Sequence, residues 1–322
     1  MPTLDAARFA LPWVGVLRSC WELTKPRVVA AIVFTAVVGM VLASDEHPHL
    51  EPMLLGCAGI WLAAASAAAL NHLLDRRLDA AMTRTRRRPL PTGRLSERAA
   101  ITFALTLGSL AMLILALGVN LLTAALTLGS LIGYSVLYTA WLKPLTPQNI
   151  VIGGAAGAAP PLLGWAAVRN GIDADALLLF LIILVWTPPH FWALAIARRD
   201  DYAKAGVPML PVTHGIAFTS DCIVLYTGLL AIVTLLPFLT GQSGALYLLG
   251  AAALDAVFLL RVLKLRACPA PAVAMRTFRY SIQYLLLLFA LLVVDHYLHL
   301  SRLHAQLDCM HCILGGAHGG SP

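Results

Sequence analysis

The sequence predicts an all-α polytopic membrane protein, a bundle of nine transmembrane helices. Three observations carry that prediction. Of 322 residues, 59% are hydrophobic and only 12% are charged, with a mean hydropathy of +0.80; a soluble domain carries about 25% charged residues. Apolar runs close to the roughly 20 residues that cross a bilayer occur nine times. Basic residues gather in alternate connections, and a count of nine spans puts every basic connection on one side, which eight or ten would not. The side rich in Lys and Arg is the cytoplasm.

Residues 1–27 hold Arg18, Lys25 and Arg27 and show no apolar core followed by a small-residue cleavage site, so they read as a cytoplasmic N-terminal segment rather than a signal peptide. The first span covers 28–43. The second, 53–71, ends on Asn71 and opens into a connection holding Arg76, Arg77, Arg84, Arg86, Arg87, Arg88, Arg94 and Arg98. The third and fourth, 99–117 and 121–140, lead to Tyr134, Tyr138 and Lys143 on the same face. The fifth, 149–168, contains Pro160-Pro161, and the sixth, 176–195, contains Pro188-Pro189. Both pairs predict interrupted helices, tolerated where the freed backbone lines a cavity. After the sixth come Arg198, Arg199 and Lys204. Spans at 222–239, 244–263 and 280–299 follow. The tail, 301–322, is expected outside the cytoplasm and unstructured. It carries Cys309 and Cys312 around His311, a metal clamp or an oxidisable pair on a weak pattern. The net charge of +7 is that of membrane connections and calls for no nucleic-acid partner.

The chemistry concentrates at Asn71, Asp75 and Asp79. On a helix these stand at i, i+4 and i+8, facing one way about 6 Å apart. Two carboxylates and an amide oxygen form a hard surface suited to Mg²⁺, which combines a few carboxylates with water and phosphate oxygens. The plainer alternative is a solvated helix end, with Asp75 and Asp79 paired to Arg76 and Arg77. A second acid-base stretch follows the sixth span, His190 through Arg198, Asp200, Asp201, Tyr202 and Lys204. Both stretches follow even-numbered spans and so share a face, as in a diverged repeat.

Acids, Arg and Lys together suit a diphosphate, with Mg²⁺ bridging carboxylates to phosphates and Arg gripping oxygens bidentately. The apolar bundle suits a long hydrocarbon. A prenyl diphosphate is both. Ionising it demands a stabilised leaving group and a dry cavity.

Several pieces resemble the UbiA-type prenyltransferases. The Asn71–Asp79 pattern followed by Arg84-Thr-Arg86-Arg87-Arg88-Pro89 is similar to their first motif. Leu23-Thr-Lys25-Pro26-Arg27, Tyr138 through Lys143, Thr146 through Gly154, Gly157 through Trp165, Pro189 through Ala195 and Asp201 through Val212 resemble the haem-farnesylating branch. The resemblance covers roughly 23–215; beyond that only hydropathy matches. It implies a nine-helix prenyltransferase domain over 28–300. It also implies an Mg²⁺-dependent reaction of farnesyl diphosphate with a vinyl group of haem B, adding hydroxyl to give haem O, in haem A/O biosynthesis for terminal oxidases. The implied setting is a bacterial inner membrane, N-terminus inside and C-terminus outside. A haem A synthase or terminal-oxidase assembly factors are the implied protein partners.

Carried over residue by residue, Asn71, Asp75 and Asp79 are metal–diphosphate groups, and Arg84, Arg88 and Lys143 hold phosphate. Asp201 matches the last acid of the second motif, which makes it a metal and catalytic candidate. Tyr138, His190 and Arg198 join the substrate-binding set. Two departures stand out. Ala197 replaces the first acid of a second D-x-x-x-D, and Lys143-Pro144 replaces a basic pair. His190 reads either as a hydrogen-bonded interfacial histidine or as a contact to haem iron or a propionate. Trp186, Phe191 and Trp192 read as an aromatic belt or a porphyrin stack. Gly153, Gly154 and Gly157 read as close helix packing or room for substrate. Rival functions are prenylation of an aromatic or quinone precursor, a transporter with broken helices, and a non-catalytic scaffold.

Overall fold

The computed structural model describes residues 12–44 and 50–315, with side chains from 13 to 44 and 50 to 298. Every regular element among the described residues is helical. Nine helices there are long and apolar enough to cross a membrane: Pro26–Ala43, Leu50–Leu74, Glu97–Gly118, Leu121–Leu145, Asn149–Arg169, Ala174–Ala197, Gly215–Leu239, Ala245–Ala267 and Pro271–Leu298. The chain is a polytopic membrane protein. Large side chains that stay exposed, such as Leu105, Leu117, Leu121, Leu225 and Leu249, form its lipid-facing surface. The backbone of the last helix runs on to Gly315, through the segment expected to lack structure. The side chains of Cys309, His311 and Cys312 lie outside the described residues.

Helix ends are closed by the side chains the sequence supplies. Ser96 accepts from the Ala99 N–H at 3.2 Å, Asn120 from Thr123 at 2.8 Å and Asp173 from Ala176 at 3.3 Å. Each satisfies an amide with no partner within its helix. Asp295 of the ninth span does the same across space, accepting from the N–H groups of Gly244 and Tyr247 at the start of the eighth. Inside the membrane, Asp255 accepts from Tyr284 at 2.5 Å and Thr234 at 2.8 Å, tying the seventh, eighth and ninth spans together. A buried acid in lipid persists only when its oxygens are satisfied this way.

The first and fifth spans touch backbone to backbone. A Cβ on Gly39 would stand 2.0 Å from the Pro161 carbonyl oxygen, and one on Gly164 would stand 1.9 Å from that of Ala36. Small residues allow such approach in membranes, where packing rather than water drives association. Gly164→Ala is therefore expected to destabilise the bundle by about 1–3 kcal/mol, the usual cost of overpacking. Gly129→Ala, with nothing within 4 Å, serves as the control. Thermal unfolding of both in detergent checks this, and equal melting temperatures would refute the close contact.

The two proline pairs behave differently. Pro160-Pro161 divides the fifth span into Asn149–Ala158 and Pro160–Arg169, as predicted. The sixth span, in contrast to the expected break, runs unbroken from Ala174 to Ala197 through Pro188-Pro189. Proline there removes the donors owed to Leu184 and Val185. The Thr187 hydroxyl bonds the Ile183 carbonyl at 2.7 Å just upstream, and packing against neighbouring helices holds the line. The fourth span changes winding instead. From Gly133 to Leu142 it is a π-helix, a form frequent at functional sites.

Candidate active site

The first, second, fourth, fifth, sixth and ninth spans surround a cavity of about 670 Å³, inside the range of ligand pockets. Its polar lining gathers where the second and sixth spans end. Its interior is lined by Ala63, Ala67, Ile60, Leu163, Ile183 and Leu285, among others. The fifth span resolves what its glycines do. Gly153 leaves space for the Tyr138 ring, which a Cβ would meet at 2.1 Å; Gly154 lies by Thr187, whose side chain a Cβ would meet at 3.1 Å; Gly157 faces open space in the cavity.

The second span stops at Leu74 and a six-residue helix, Arg76–Ala81, follows. Asp75 is the joint. Its N–H still bonds the Asn71 carbonyl at 2.9 Å, and the Asp79 N–H bonds the Asp75 carbonyl at 2.8 Å. The i, i+4, i+8 face therefore survives the interruption, and Asn71, Asp75 and Asp79 are all buried and line the cavity.

Their partners are not the adjacent arginines. Lys143 reaches Asp75 at 2.6 Å, and Arg88 grips both oxygens of Asp79 at 2.9 and 2.7 Å. Arg76 turns away to Glu97. Asn71 donates to Asp75 at 3.0 Å and to Thr139 at 3.2 Å, and accepts from Lys25 at 2.5 Å. The π-helix positions Thr139 and Lys143 together here. The Thr85 hydroxyl bonds the Asp79 carbonyl at 3.0 Å, folding the arginine-rich connection back over the mouth.

The cavity lining holds Lys25, Arg27, Arg84, Arg88 and Lys143 against Asp75 and Asp79, so basic side chains outnumber acidic ones. A cation alone would worsen that imbalance; a polyanion corrects it. Among the described residues, no three His, Cys, Asp or Glu side chains converge. The protein offers two carboxylates and an amide oxygen, the partial hard-oxygen set that Mg²⁺ takes when phosphate oxygens complete its shell. The donor set thus fits a metal that arrives with its anion.

Lys25 is the residue that sequence reasoning missed. It sits in the left-handed region, φ 49 and ψ 58, just before Pro26 opens the first span. A non-glycine residue with positive φ is uncommon and marks a site that over-determines it. Burial, with Arg88 beside it, brings its amine down to about 7. The available signal was the Lys-Pro junction itself, since proline disfavours the helical region for the residue before it.

The second acid stretch does not assemble as expected. The sixth span is followed by another six-residue helix, Arg199–Lys204, a counterpart to Arg76–Ala81. Arg198 stands at its joint as Asp75 does at the first, and Tyr202 stands where Asp79 does. Tyr202 lines the cavity, while Asp201 and Arg198 do not. One residue along a helix turns a side chain by about 100°, which takes Asp201 off the inward face; it is half-buried and Arg198 is exposed. Burial pushes the Tyr202 hydroxyl above its ordinary value.

Deeper in, Trp186, His190 and Phe191 of the sixth span and Phe278 of the ninth line the wall. Trp192 points elsewhere, buried edge-on against Tyr226 in the core. Of the three aromatic candidates, two therefore face the cavity.

Comparison with known proteins agrees with the fold. Residues 32–296 match the profile of the UbiA prenyltransferase family. The protoheme IX farnesyltransferase of Shewanella denitrificans is 54% identical over 290 residues, covering 90% of this chain and 95% of that one. The solved structure of a digeranylgeranylglyceryl phosphate synthase superposes with a TM-score of 0.73 at 20% identity, over 87% of this chain and 98% of that one. That of a UbiA homolog from Archaeoglobus fulgidus bound to GPP and Mg²⁺ gives 0.61 at 16%, over 85% and 99%. Both structures speak to the fold alone.

Proposed function

From the premise that the chain belongs to the UbiA prenyltransferase family, we propose that it transfers the farnesyl group of farnesyl diphosphate to a vinyl group of haem B, giving haem O and diphosphate. One observation carries this reading: a single cavity joins a cation-rich mouth with two carboxylates to an apolar, aromatic-walled interior. The mouth suits a diphosphate, and the interior suits a prenyl chain beside a tetrapyrrole.

The C1–O bond of farnesyl diphosphate breaks with both electrons leaving on the diphosphate. The vinyl π-bond attacks C1, and the cation left beside the porphyrin is captured by water, which loses a proton. Lys25, Arg84, Arg88 and Lys143 would hold phosphate oxygens, and the shift of Lys143 and Arg88 from carboxylate to phosphate would free Asp75 and Asp79. Asn71, Asp75 and Asp79 would hold Mg²⁺, which when bound would neutralise charge on the departing diphosphate. The apolar walls keep water from the allylic cation until the vinyl group has attacked. The basic mouth is assigned to the cytoplasmic face of a bacterial inner membrane, with the C-terminus outside, by the bias of the connections.

Purified protein given haem B, farnesyl diphosphate and Mg²⁺ should yield a product heavier than haem B by one farnesyl group and one hydroxyl group, with diphosphate released. Prenylation of an added quinone precursor with haem B left unchanged would refute the assignment.

A further inference from the structure

His190 is held between two aromatic faces. Trp186 stacks on it at 4.2 Å and 19°, Phe278 at 4.6 Å and 29°, and Phe191 meets it edge-on at 4.9 Å. The ring can rotate little, so its edges are aimed. Nδ1 lies 2.7 Å from the Ser281 hydroxyl. That hydroxyl donates its one proton to the Phe278 carbonyl at 2.7 Å. Towards the imidazole it is therefore an acceptor, and Nδ1 carries the ring proton. Ser281 is itself fixed, since its carbonyl accepts from Trp186 Nε1 at 2.9 Å.

Nε2 is then a lone pair. It has no hydrogen-bond partner among the described residues, and it is not one of the enclosed, unpartnered nitrogens as those of His72 are. His190 lines the cavity, so this edge is open to what the cavity holds. An oriented lone pair takes a metal or a proton; it repels a carboxylate. That distinguishes the two haem contacts open to this histidine. A propionate requires a donor, and the iron requires an acceptor.

Resting on the reading of haem B as substrate, we propose that Nε2 of His190 is the axial ligand of the haem iron, with Ser281 fixing its tautomer. A hydrogen bond from the second ring nitrogen to an oxygen is the usual support of a metal-binding histidine. The depth is suitable as well. His190 stands seven residues before the end of the sixth span at Ala197, about 10 Å along a helix, while Asp75 stands just past the end of the second. Ligation would hold the porphyrin below the diphosphate, at the level of the prenyl chain.

The experiment titrates the full chain, in lipid nanodiscs, with ferric haem B and records absorption and electron paramagnetic resonance spectra. The parent chain should show a histidine-ligated spectrum. His190→Ala should lose it and regain it on adding imidazole, while Mg²⁺-dependent binding of farnesyl diphosphate shows the fold intact. His190→Gln, closer in size, carries the same test if His190→Ala fails to fold. Ser281→Ala should keep ligation but weaken haem binding by roughly 10–100-fold. The dimethyl ester of haem B should bind the parent chain as haem B does. An unaltered spectrum in the His190 variants, or loss of binding by the ester with that spectrum retained, overturns the assignment while leaving haem B as substrate. Failure of the parent chain to bind haem B removes the substrate reading and this assignment with it.

Discussion

Asp75→Asn and Asp79→Asn should each lower farnesyl transfer on the order of 10³-fold with the protein still folded in the membrane. The size follows from what each carboxylate must do. Departure of diphosphate concentrates charge at the cavity mouth, and loss of a group that helps hold the metal should raise the barrier by about 4 kcal/mol, at 1.36 kcal/mol per tenfold. Asn is nearly the same size, so packing changes little. At position 75 it keeps an oxygen for Asn71 but loses the charge opposite Lys143; at 79 it loses the two-oxygen grip of Arg88. Removing one partner of a buried pair is costly in itself, so melting temperature and membrane insertion are measured beside initial rates. Raising Mg²⁺ should recover part of the rate if the residues hold metal. Asp201→Asn, outside the cavity lining, is the internal comparison and should change the rate by no more than a few-fold. Near-normal turnover in both first-motif variants would remove those carboxylates from the site.

Much of the site was legible because each feature had a forced cause. Spans must be long and apolar, so nine could be located from composition. The Asn71–Asp79 spacing places three oxygens on one face whether or not the helix is interrupted at Asp75. What escaped depended on tertiary context. Pro188-Pro189 reads locally as a break, yet the sixth span runs continuously through it. Asp201 and Tyr202 are neighbours in sequence, and only the joint at Arg198 decides that the tyrosine faces inward. The Nδ1 edge of His190 meets the Ser281 hydroxyl, 91 positions away in sequence. The π-winding that sets Thr139 and Lys143 against the first motif has no simple sequence signature.

Lys25→Met should lower turnover by about 10²–10³-fold, the loss typical of removing one preorganised group that stabilises developing negative charge. Its amine lies against Asn71 at the cavity mouth, within the set of cations that would receive the diphosphate. The left-handed backbone that delivers it there costs on the order of 1–3 kcal/mol for a residue with a Cβ. Position 25 therefore sets stability against function, and a second substitution separates the two. Lys25→Gly removes the amine as well but accepts positive φ without steric cost. The glycine variant should match the methionine variant in lost activity yet melt at a higher temperature, because only the glycine relieves the backbone. Initial rates with farnesyl diphosphate and haem B, read beside thermal unfolding in detergent, test both halves. If Lys25→Met retained activity within a few-fold, the strained junction would be a folding feature of the first span and the diphosphate would rest on Arg84, Arg88 and Lys143.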